Sequence, residues 1–145
     1  MKVLIGVDDS KVSADIVRAV VAQFRGENTE ILVLHVLQPV AHSEPPEMAA
    51  GYAPELESQK KPAHELAGRI AKELRSAGFK ADTAVEVGDV RESIIDAAAA
   101  WHADLIVVGS RGQSGIRRFL LGSVAEFVAR HATCSVEVVR TPVSI

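Results

Sequence analysis

Residues 104–123 read DLIVVGSRGQSGIRRFLLGS, an apolar run that breaks into glycine at 109, 112, 115 and 122 and arginine at 111, 117 and 118. Apolar residues without alternation mark a strand buried on both faces, which is the habit of a parallel sheet. The glycines that follow can adopt positive φ and carry no Cβ, so their amides can turn inward and approach an anion closely. Helical period resumes at Phe119 or at Ser123. A helix starting at Gly122–Ser123 would aim its first free N–H groups and its positive dipole end at the same anion, with the Ser123 hydroxyl as a further donor.

The same alternation of strand and helix extends through the rest of the chain. VLIGV, Val3–Val7, is a second non-alternating apolar run, and Ile16, Val20 and Phe24 then repeat every fourth residue in a helix capped by Ser10 and closing near Gly26. EILVLHVL, Glu30–Leu37, is another buried strand. Gln38 to about Ser58 contains Pro39, Pro45, Pro46, Gly51 and Pro54 and reads as a long loop, of the kind used for lids or partner surfaces. A helix from near Pro62 to Ala77 sets Leu66, Ile70 and Leu74 on its core side, with Gly78 just beyond its end. KADTAVEV, Lys80–Val87, supplies a strand. Asp89 and Glu92 have capping-box spacing and open a helix that runs to Trp101. After DLIVVG and the helix ending at His131, SVEVVR is the last strand. Five strands alternating with four helices predict an α/β fold: a single-domain doubly wound five-stranded parallel sheet with helices on both faces.

Composition narrows the function. A chain of 145 residues suits one domain, here 1–145, and 48% hydrophobic with 24% charged residues is the balance of a globular protein. The formal net charge of −3 and the few aromatic residues give no footprint for nucleic acid. No apolar run is long enough to span a membrane and none has the layout of a signal peptide, so a cytoplasmic location is the expectation. The lone Cys134 cannot form an internal disulfide and reads as a small residue at a strand start rather than a reactive thiol.

In open parallel sheets, ligands bind outside the carboxyl ends of the strands where the winding reverses, which selects the loops after the first and fourth strands: Asp8-Asp9-Ser10 and the glycine stretch. A P-loop would need a lysine after its glycines, and none occurs beyond Lys80. The dinucleotide fingerprint would need three glycines after the first strand, where Gly6 stands alone. What remains is Gly109-x2-Gly112-x9-Gly122-Ser123. With VLIGVDDS, ILVLHV and LLGSVAEFVARHATCSVEVVR around it, the chain resembles the universal stress protein family, in its ATP-binding branch, over essentially its whole length. One departure is Ser135, where that family commonly has proline. The resemblance implies an adenine-nucleotide alpha-hydrolase-like, Rossmann-like fold. It implies ATP held at its phosphates and ribose by Gly109, Gly112, Gly122, Ser123 and Val124, with Asp8 beside the nucleoside and Val36 and the Val7 backbone at adenine. It further implies a homodimer through the last strand, whose Val136, Val138 and Val139 would otherwise leave an outer edge open to pairing.

Each of these positions has a plainer reading. Asp8 can cap the first helix, Ser10 is a cap rather than a nucleophile for want of a base beside it, and Asp9 faces solvent. Arg111 is placed to neutralise a triphosphate; Arg117 and Arg118 serve that role or a solvated basic face. A magnesium or manganese ion bridging the phosphates would ease the same repulsion through water and phosphate oxygens. His35 reads as a satisfied core histidine, and His42, His64, His102 and His131 lack metal-ligand spacing, so no structural metal site is expected. The leading function is a nucleotide-dependent stress sensor or switch. The alternatives are a slow ATPase, with Asp8 orienting water, and an adaptor that binds an unidentified protein partner without nucleotide.

Overall fold

The computed structural model describes residues 1–8, 12–39, 54–110 and 121–140, with the backbone alone over 54–56. Its elements run β1 (Lys2–Val7), α1 (Val12–Gln23), β2 (Glu30–Leu37), α2 (Pro54–Ser76), β3 (Lys80–Val87), α3 (Val90–Trp101), β4 (Leu105–Gly109), α4 (Ser123–His131) and β5 (Ser135–Val139), with a 3₁₀ turn at Gly26–Asn28. All strand pairings are parallel and the order across the sheet is β3-β2-β1-β4-β5.

Given that order, the handedness of the crossovers decides which face each helix covers. Right-handed crossovers carry the chain outward from β1 through β2 to β3 with α1 and α2 on one face; the return to β4 and β5 then places α3 and α4 on the other. The core divides accordingly. On the first face Val3, Ile5 and Val7 of β1 pack with Ile16, Val17 and Val20 of α1 and Ala67, Ile70 and Leu74 of α2. On the second, Leu4, Leu34, Val36, Ile106 and Val108 pack with Ile94 and Ala98 of α3 and Ala125 and Val128 of α4. Period-two alternation along β1 and β4 thus feeds two cores, so both strands are apolar at successive positions wherever they are covered on both faces. The outer strands β3 and β5 are less buried and carry most of the polar residues of the sheet.

Helix ends are set by local chemistry. Asp89 caps α3, its carboxylate accepting from the Arg91 and Glu92 amides at 3.0 and 3.1 Å. At the end of α2, Gly78 takes φ +97° and the Phe79 N–H reaches the Leu74 carbonyl, a Schellman closure. Gly26 lies so close to this turn that a Cβ there would sit 2.0 Å from the Gly78 carbonyl oxygen.

The reading of 38–58 as loop and of Pro62 as a helix opening is corrected at one end. α2 begins at Pro54 and carries Pro62 within it. Proline at the first helical position gives up an N–H that has no intrahelical acceptor anyway. Pro62 does cost a helix bond, but Ala63, Ala67, Ile70, Ala71 and Leu74 are buried along the same helix, and that tertiary burial outweighs the interruption. The remainder of that loop, from 40 to 53, and the Ser10 cap lie outside the described residues.

Candidate functional site

Because α1 leaves β1 toward one face and α4 leaves β4 toward the other, the carboxyl ends of these adjacent strands part into a crevice, as open α/β sheets do at their switch point. Its volume is about 1020 Å³. Val7, Asp8, Val36, Gly109, Gly122, Ser123 and Val124 all line it. Arg111, Gly112, Arg117 and Arg118 lie outside the described residues.

The far wall is the start of α4. Gly122 is its N-cap, at φ −63° and ψ 158°, and no side chain among the described residues caps the helix. The contrast with α3 is direct: there Asp89 occupies the N-cap and takes up two first-turn amides. At α4 the amides of Ser123, Val124 and Ala125 have no acceptor within the helix, and the positive end of the dipole faces the crevice with them. Such a terminus suits an anion.

Two expectations about the glycines change here. Gly109 closes β4 opposite Val139 of β5; the positive-φ glycines among the described residues are Gly78 and Gly88. Strand pairing continues through Gly109 into Ser110, whose N–H donates to the Val139 carbonyl at 2.8 Å, so extended backbone is imposed there. The Gly122 amide is already committed within the protein, because it donates to the Ser110 carbonyl at 2.6 Å. Ser110 is buried. It therefore holds β5 with one backbone group and the start of α4 with the other, clasping the two ends of the 111–121 segment.

On the β1 side, the Ser13 hydroxyl donates to the Asp8 carbonyl at 2.9 Å and so ties the end of β1 to the first turn of α1. Asp8 and His35 are the ionisable side chains of the crevice among the described residues. His35 is buried as expected, but it is not satisfied: its Nδ1 has no hydrogen-bond partner among the described residues. Gln38, Ser58, Gln59 and Pro62 also line the crevice and were not singled out from sequence. Three of them belong to the first turns of α2, and only the true start of that helix would have pointed to them. No group of three or more His, Cys, Asp or Glu residues poised to hold a metal occurs among the described residues. Burial pushes the Cys134 thiol above its ordinary value, with the Asp104 carboxylate adding to the effect, the opposite of the shift that activates a thiol.

Five parallel strands in the order β3-β2-β1-β4-β5, with helices on both faces, define a doubly wound α/β protein. The chain belongs to the universal stress protein family, whose profile matches residues 1–140. Universal stress protein YxiE of Bacillus subtilis (strain 168) is 30% identical over 145 residues, covering 96% of this chain and 98% of that protein. Universal stress protein Sll1388 of Synechocystis sp. is 29% identical over 150 residues, covering 96% and 97%. Among solved structures, that of the protein MJ0577 superposes with a TM-score of 0.84 at 28% identity, covering 99% of this chain and 97% of the other. A universal stress protein in complex with cAMP has a TM-score of 0.67 at 26% identity, with 98% of each chain covered. An Arabidopsis thaliana family member with AMP bound shares the fold at a TM-score of 0.71 and 19% identity, covering 98% and 92%. No helix among the described residues is long and apolar enough to cross a membrane.

Proposed function

We propose that this chain binds an adenine nucleotide in the crevice and serves as a nucleotide-dependent sensor or switch in a stress response. The observation that carries the reading is the start of α4, where Gly122, Ser123 and Val124 line the crevice and no side chain among the described residues caps the helix, at the point where the sheet changes direction. In this reading Gly109, Gly122, Ser123 and Val124, joined by Arg111 and Gly112, hold the phosphates and ribose. Asp8 lies beside the nucleoside, and Val36 and the Val7 backbone meet the base. The family members solved with AMP and cAMP support an adenine nucleotide as the class of guest. ATP is the proposed form.

The donor set fits this guest better than it fits a protein-held metal. Neutral amides and a hydroxyl stabilise phosphate oxygens, whereas Asp8 is the single carboxylate among the described lining residues. A magnesium or manganese ion would be held through phosphate and water oxygens and would neutralise charge between the phosphates. Binding is proposed rather than turnover, with slow hydrolysis at most. A homodimer through β5 completes the proposal: β5 is the outermost strand, and Val136, Val138 and Val139 on it are only partly buried.

The test is mass spectrometry of whatever nucleotide freshly purified protein releases, paired with titration calorimetry using ATP. Release of an adenine nucleotide, or saturable ATP binding, is the expected result. Protein that is empty as isolated and shows no ATP affinity at millimolar concentration refutes the reading in favour of a nucleotide-independent adaptor. ATP converted to ADP within hours in the presence of magnesium would favour the ATPase.

A further inference from the structure

His35 lies on β2 between Val7 of β1 and Val85 of β3, is 5% exposed, and lines the crevice together with Val12 and Ile16 of α1 and Pro62 and Ala63 of α2. Its Nδ1 is fully buried and has no hydrogen-bond partner among the described residues. An unpaired polar atom in a core is destabilising, and an apolar residue of similar size would avoid the cost. The fold supplies no compensation, so a ligand of the crevice is the natural source.

The sheet order decides which end of the ligand comes within reach. β2 lies two strands from β4, about 10 Å across the sheet at the usual spacing. A ligand whose phosphates rest on the start of α4, beyond β4, brings its sugar and base toward β2. Tautomer follows from burial. A buried N–H without an acceptor is rarer than a buried acceptor without a donor, so the proton belongs on Nε2 and Nδ1 presents a lone pair.

We propose that His35 is a specificity-determining residue of the crevice, its imidazole accepting a hydrogen bond from one neutral donor, N–H or O–H, on the nucleoside end of the ligand. This rests on the adenine-nucleotide reading above. Nδ1 is shielded from solvent, so the contact requires the ring to turn about its Cβ–Cγ bond, a torsion with broad wells. Two groups on the ligand have this chemistry: the exocyclic amino group of the base and the hydroxyls of the sugar.

Calorimetry on the full chain separates them, comparing wild type, His35→Leu and His35→Asn against ATP, inosine triphosphate, 2′-deoxy-ATP and 3′-deoxy-ATP. His35→Leu should weaken ATP binding about tenfold, the factor for one lost hydrogen bond of ordinary strength. It should also bring one analogue's affinity level with that of ATP: inosine triphosphate if the amino group is the donor, a deoxy analogue if a hydroxyl is. His35→Asn keeps a short side-chain acceptor and should retain part of the wild-type preference, which also guards against misfolding of the leucine variant. A merely structural histidine would leave these ratios unmoved. Unchanged ATP affinity in His35→Leu, or a loss shared equally by every analogue, overturns the proposal while the nucleotide reading stands. Wild-type protein that binds none of the four ligands overturns both.

Discussion

Replacing Gly122 by proline removes a backbone N–H and adds a ring whose φ the residue already has. At φ −63° and ψ 158°, Gly122 already has the backbone of a proline in extended structure. The substitution deletes the N–H that donates to the Ser110 carbonyl at 2.6 Å. Ser110 is buried, so its carbonyl would be left without that donor, at a cost of about 2 kcal/mol. The stiffer unfolded chain offsets roughly 0.5–1 kcal/mol of this. Gly122→Ala is the control, because it too loses a glycine N-cap but keeps the N–H. The proline variant should therefore be less stable than the alanine variant by about 1–1.5 kcal/mol, a melting temperature roughly 4 °C lower for a chain of this size. Scanning calorimetry measures the difference, and titration with ATP should show weaker binding for proline than for alanine, since α4 would no longer be fixed to the end of β4. Equal melting temperatures for the two variants would refute the clasp as a stabilising contact.

Further outcomes follow from other sites. Gly26→Ala drives a Cβ into the Gly78 carbonyl and should cost about 3 kcal/mol, whereas Gly68→Ala in α2 meets nothing within 4 Å and should gain roughly 0.5–1 kcal/mol; urea denaturation of both tests the contrast. The Glu92 amide, with the Arg91 side chain assisting, holds the Asp89 carboxyl below the ordinary carboxylate value. Its contribution is therefore complete above the unfolded-state value and is lost as pH falls through the lower folded one. Asp89→Asn should accordingly melt earlier than wild type at neutral pH and converge with it in acid; a gap independent of pH would exclude the charge as the cause. On β5, the Val139 carbonyl accepts from Ser110, so in a parallel ladder the backbone groups of Val136 and Val138 point to the open side. Val138→Pro removes one outward donor and should shift sedimentation from dimer to monomer, whereas a monomeric wild type would dispose of the β5 dimer.

The strands were legible because burial on two faces leaves no choice of residue: β1, β2 and β4 are apolar wherever they feed the two cores, and their bounds read almost directly from the sequence. The start of α4 was open between Phe119 and Ser123, because the apolar residues 119–121 suit a helix as well as a loop, and it falls at Ser123. The start of α2 was not legible. Pro54 and Pro62 look like helix breakers in isolation, and only the burial of the alanines and leucines that follow, a tertiary fact, decides otherwise. The commitment of the Gly122 amide was hidden for a similar reason, because its acceptor is fixed by how β4 and α4 meet. His35 could be placed in the core from its apolar neighbours, but whether its ring nitrogens find partners depends on side chains from α1, α2 and the adjacent strands.

The position of β1 has a consequence for synthesis. The first strand to leave the ribosome is the middle of the finished sheet, joined on one side to β2 and on the other to β4. Residues through β3 can assemble as three strands with α1 and α2 on one side, but β1 then presents an unpaired backbone edge until residues 105–109 are translated. At ordinary elongation rates that interval is on the order of seconds, during which a nascent chain offers its most apolar strand to any neighbour. Slowing translation between Val87 and Leu105 should therefore raise the fraction of aggregated product.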